Sequence, residues 1–141
     1  MPELENSKVI EHILETLINI SSRKTTAGYA VLKMNDLIKK LEEKYDFLKH
    51  IEIKDTRFTE VRNPVTVMSD IDSVKSGEIG KALYDIIKTM NNTLGKNAGH
   101  YFIRELKNNI GEYYSTRMED MGVDLSLMQL EDEVAKMTKK I

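Results

Sequence analysis

Apolar residues return every three to four positions over most of this chain, the period of a helix that buries one side. Val9, Ile10, Ile13, Leu14, Leu17, Ile18 and Ile20 fall on one half of a helical wheel and Glu11, His12, Glu15 and Thr16 on the other, which predicts a helix over residues 4 to 21. Ala27, Ala30, Val31, Met34, Leu37, Ile38, Leu41 and Tyr45 form a second stripe, predicting a helix over 26 to 45. The connection Ser21-Ser22-Arg23-Lys24-Thr25-Thr26 is short and rich in N-cap residues, as an antiparallel helix pair requires.

The period then drops to two. Leu48, His50 and Glu52 alternate with Ile51 and Ile53, and Phe58, Val61, Val65 and Val67 mark a second β-rich run, with Lys54-Asp55-Thr56-Arg57 as the turn. Pro64 has no N–H for a ladder and confines the second strand to an edge or a bulge. Beyond the acidic stretch 68 to 72, Ser76 is placed to cap a helix whose stripe is Ile79, Ala82, Leu83, Ile86, Ile87, Met90 and Leu94, ended or kinked at Gly95.

A longer pattern from Asn97 to Met121 carries Phe102, Ile103, Leu106, Ile110, Tyr113, Tyr114 and Arg117 on one face, and predicts a single long helix closed by a Schellman turn at Gly122-Val123. Its apolar residues exceed one stripe, so a second subunit is expected to cover part of it, in a homodimer or larger homo-oligomer. Val123, Leu125 and Leu127 alternate like a strand, but Ser126 and Gln129 form a capping box, which favours a last helix over 126 to 139. The expected fold is therefore α+β and mostly helical, one domain over 1 to 141. It comprises a helical hairpin, a central β-hairpin, two longer helices and a short C-terminal one; the alternative is an all-α chain with an irregular middle.

Composition narrows the chemistry. The 141 residues include no cysteine, which excludes disulfides, thiolate metal sites and Cys nucleophiles. Net charge is −2 and no segment has a basic footprint, so no nucleic acid is expected as partner. No run reaches the ~18 apolar residues of a membrane span, and the acidic start does not resemble a signal peptide. A cytoplasmic protein without membrane contact is the expectation.

Three groups could carry chemistry. Arg23, Lys24, Thr25 and Thr26 combine cations, hydroxyls and the free N–H groups of a helix start, a suitable place for a small anion, although the order of a phosphate-binding loop is missing. Tyr113, Tyr114 and Arg117 share one helix face, where an Arg must find a carboxylate, an aromatic face or an anionic ligand. His100, beside Tyr101 and one turn before Arg104, could serve as acid or base. His12 reads as a surface histidine and His50 as a residue of the first strand. Gly77, Gly80, Gly95 and Gly99 read as caps and close-packing positions.

No metal or cofactor motif is present. The balance favours a small non-enzymatic interaction or regulatory module acting as a homo-oligomer, with a protein partner as a further possibility. The alternative is a sensing domain for an anionic metabolite or nucleotide, and after it an enzyme that uses His100.

Overall fold

The computed structural model describes residues 5–54, 65–93 and 102–139. The helical hairpin is formed by α1 (Asn6–Lys24) and α2 (Ala27–Leu41). A 3-10 helix, Asp46–His50, leads into β1 (Ile51–Ile53), which pairs antiparallel with β2 (Val65–Val67), Ile51 opposite Val67 and Ile53 opposite Val65. His50 thus precedes the strand. A second 3-10 helix, Ser69–Ser73, is followed by α3 (Ser76–Thr93), α4 (Phe102–Ile110), α5 (Glu112–Asp120) and α6 (Leu125–Lys139). Asp55, Thr56 and Arg57 of the expected turn, Phe58 and Val61 of the expected second strand, and Pro64 lie outside the described residues, as do Gly95, Gly99 and His100.

α1 is the central element. Seven of its apolar side chains, from Val9 to Ile20, are almost fully buried, and they pack against α2, α3, α4, β2 and the second 3-10 helix. Such wide burial leaves little of α1 for solvent, and its polar side is partly covered too. Contrary to the surface reading, His12 is half-buried: its ring stacks on Tyr114 with centroids 4.0 Å apart, and Nε2 lies 3.4 Å from the Ile110 carbonyl. Glu15 is also half-buried, and burial together with the neighbouring Glu11 raises its carboxyl above the usual range.

The long helix expected over 97 to 121 is divided. Gly111 takes φ +87°, a left-handed conformation open to glycine, and stands between α4 and α5. The stripe continues across this break, which is why periodicity alone does not reveal it. α5 closes with the anticipated Schellman turn: Val123 N–H bonds the Met118 carbonyl at 2.8 Å, Gly122 N–H bonds that of Glu119 at 2.9 Å, and Val123 is buried. The face Phe102, Ile103, Leu106 and Ile110, proposed from sequence as partly intersubunit, is buried within this one chain.

Several helix starts are closed by distant residues. Glu5 makes no side-chain cap for α1, and instead Asp72 accepts from the Ser7 N–H at 2.7 Å and from the Ser7 hydroxyl at 3.1 Å. Gln129 of α6 accepts from the Arg104 N–H in the first turn of α4, at 3.2 Å. α6 is itself capped by Asp124, whose carboxylate accepts from Leu127 N–H, so Ser126 and Gln129 do not form the anticipated box. Ser76 turns its hydroxyl toward Arg117 and Asn6 rather than capping α3.

Candidate interaction surface

The sequence-derived residues separate into two places. Thr26 caps α2, its hydroxyl accepting from Tyr29 N–H at 3.2 Å, while Thr25 and Ser22 hydroxyls donate to the carbonyls of Ser21 and Ile18. Arg23 pairs with Glu105 at 3.7 Å, and Lys24 ends α1. The hydroxyl of Thr26 is therefore taken up in capping α2, and those of Ser22 and Thr25 in bonds to carbonyls of α1. On α5, Tyr113 is exposed, Tyr114 lies over His12, and Arg117 donates to Asn6 Oδ1 at 3.1 Å and to Ser76 Oγ at 3.3 Å. Arg117 thus meets neutral acceptors at the start of α1, whereas Arg23 to Thr26 lie at its end, about 28 Å away along a helix of 19 residues. One ligand cannot bridge the two groups.

What the structure brings together instead lies on α6 and α2. α6 buries Leu125 and Met128 and directs Asp132 toward α3, so its opposite side faces outward. There Leu127, Leu130 and Val134 are 51%, 55% and 53% exposed, at spacings of three and four that align them along one line. Glu131 and Glu133 rim this line. The outer side of α2 has a smaller apolar patch, Tyr29 and Leu32, set among Lys33, Lys39 and Lys40 with Asp36 between them. Lys33 stands 5.4 Å above the Tyr29 ring. The signal that could have revealed the α6 line is that its apolar residues fall into two sets, Leu125 and Met128 against Leu127, Leu130 and Val134, which is more than one buried face needs.

A second feature lies in a groove of about 710 Å³ between the end of α2 and α3. The buried Tyr45 donates its hydroxyl to Asp85 at 2.6 Å, and Lys44 donates to the same oxygen at 3.0 Å. Burial pushes the Asp85 carboxyl upward, but these two hydrogen bonds and the charges of Lys44 and Lys88 outweigh it and hold the group below its ordinary 3.8. A depressed carboxylate contributes stability that is complete above 3.8 and is lost as pH falls through the lower folded-state value. Tyr45 is raised by burial and by its bond to Asp85, so its contribution is complete below 10.0 and is lost as pH climbs beyond. Asp85→Asn is expected to cost about 1–2 kcal/mol at neutral pH and to flatten the acid limb of the stability profile. Urea midpoints measured from pH 2 to 8 check this, and an unchanged acid limb would refute the assignment.

Among the described residues no cluster of three potential ligands could hold a metal ion, and no helix is long and apolar enough to cross a membrane. No protein-family model, curated protein or solved structure matches the chain.

Proposed function

We propose that the chain is a small cytoplasmic, non-enzymatic interaction module that works as a homo-oligomer, pairing the outer face of α6 with the outer face of α2 in a neighbouring copy. The observation that carries this reading is the exposed line Leu127, Leu130 and Val134 on a helix whose other side is already packed. Apolar residues aligned along an outer helix face are what a partner helix recognises. The choice of a second copy rests on complementary charge: the α6 line is rimmed by Glu131 and Glu133, whereas Tyr29 and Leu32 sit among Lys33, Lys39 and Lys40. Two such contacts related by a twofold axis would close a dimer, and a single head-to-tail contact would build a ring or filament.

Light scattering coupled to size exclusion tests the reading. The wild type is expected at twice the chain mass or more, weakening as salt screens the rim charges. Leu127→Ser with Leu130→Ser should yield a single-chain mass with an unchanged circular dichroism spectrum, as should Lys33→Glu with Lys40→Glu. A wild type at single-chain mass at high micromolar concentration would end the proposal.

A further inference from the structure

Given the pairing of α6 with α2 proposed above, on which this rests, we infer that the assembly is head to tail: each copy seats its α6 face on the α2 face of the next, in chains or rings larger than a twofold dimer. The order in which the helices pack carries the argument. α1 packs against both α2 and α4, and α4 packs in turn against α6. Among the described residues no comparable packing joins α2 to α4, α1 to α6, or α2 to α6. The helices therefore follow one another across the molecule as α2, α1, α4 and α6. Even as this series curves around α3, which meets α1, α2 and α4 and reaches α6 through Asn91 and Asp132, its two outermost members diverge.

Both outermost helices turn their patches away from the molecule. The middle of Tyr29 and Leu32 falls about 170° around α2 from the buried stripe Ala30, Met34 and Ile38, at about 100° per residue. On α6 the line Leu127, Leu130 and Val134 falls about 180° from the buried Leu125, Met128 and Gln129. The two patches thus face away from one another, and a copy seated on α6 has no reach to α2 of the same molecule. A twofold dimer needs both patches turned toward one partner, so that closure is excluded and the heterologous contact remains. Every addition then leaves one free face of each kind. Because Glu131 and Glu133 rim one face and Lys33, Lys39 and Lys40 the other, unlike faces attract and like faces repel.

Light scattering coupled to size exclusion, over a concentration series of the full chain, tests this. The wild-type mass should climb with concentration to about three chain masses or more. Leu127→Ser with Leu130→Ser keeps only the α2 face, and Lys33→Glu with Lys40→Glu keeps only the α6 face. All four positions are exposed, so both variants keep the fold, which circular dichroism checks. An equimolar mixture of the two variants should stop at twice the chain mass. Either variant added to the wild type should lower the mass reached, because it occupies a growing end and offers no further face. A wild-type mass that levels off at twice the chain mass overturns the head-to-tail arrangement and leaves the pairing standing. A wild type at single-chain mass, or growth that neither variant shortens, overturns the pairing and the arrangement together.

Discussion

Gly80→Ala is expected to destabilise the protein by about 3 kcal/mol, although alanine is the better helix former by about 1 kcal/mol. A Cβ at position 80 would stand 2.0 Å from the Met121 carbonyl oxygen and 2.9 Å from its carbon. That carbonyl cannot withdraw easily, since Met121 is held between the end of α5 and the two hydrogen bonds of the Schellman turn, with Val123 anchored in the core behind it. Gly77 supplies the control on the same helix: a Cβ there meets nothing within 4 Å, so Gly77→Ala should be neutral or stabilise by up to about 0.5 kcal/mol. Denaturant midpoints for the two variants give the comparison. A Gly80→Ala protein as stable as Gly77→Ala would show that α3 and the end of α5 do not approach this closely.

Leu106→Glu is expected to abolish folding. Leu106 is 0% exposed and Ile110 5% exposed within a single chain, so neither waits for a partner subunit. Removing the buried leucine costs about 2–5 kcal/mol, and placing a carboxylate in the same space adds several more. Together these approach the whole stability of a domain, about 5–15 kcal/mol. Circular dichroism and a thermal scan check the result. A folded Leu106→Glu protein of single-chain mass would instead mean that this face lies between subunits, as the periodicity of residues 97 to 121 suggests.

The contrast shows where the pattern of residues is informative. Helices over 6 to 24, 27 to 41, 76 to 93 and 125 to 139 are legible because their apolar stripes are local, and the Schellman ending at Gly122 is readable from two adjacent residues. The break at Gly111 was not, since the stripe runs through it and one glycine within an apolar pattern is tolerated in a helix. The caps supplied by Asp72 to Ser7 and by Gln129 to Arg104 join residues 65 and 25 positions apart, a distance over which no periodicity reports.

The candidate surface was legible in part. The periodicity places Tyr113 on the long helix and it is exposed, but its neighbours Tyr114 and Arg117 turn inward to His12, Asn6 and Ser76. The line Leu127, Leu130 and Val134 is not legible, because the sequence does not say which of the two apolar sets of this helix meets the core.

The position of α1 bears on the order in which the fold can form. It precedes all its partners in the chain, yet its first turn is capped by Asp72 and its Asn6 is held by Arg117, 111 residues later. His12 likewise waits for Ile110 and Tyr114. During synthesis, then, α1 and α2 can associate early, but the remaining apolar side of α1 stays uncovered until the segments up to α4 have been made. Of the described elements, the first in chain order is among the last to be completed. A chain cut short before α4 would leave part of the apolar surface of α1 uncovered, and long sequence separations of this kind slow folding relative to a bundle built from neighbouring helices.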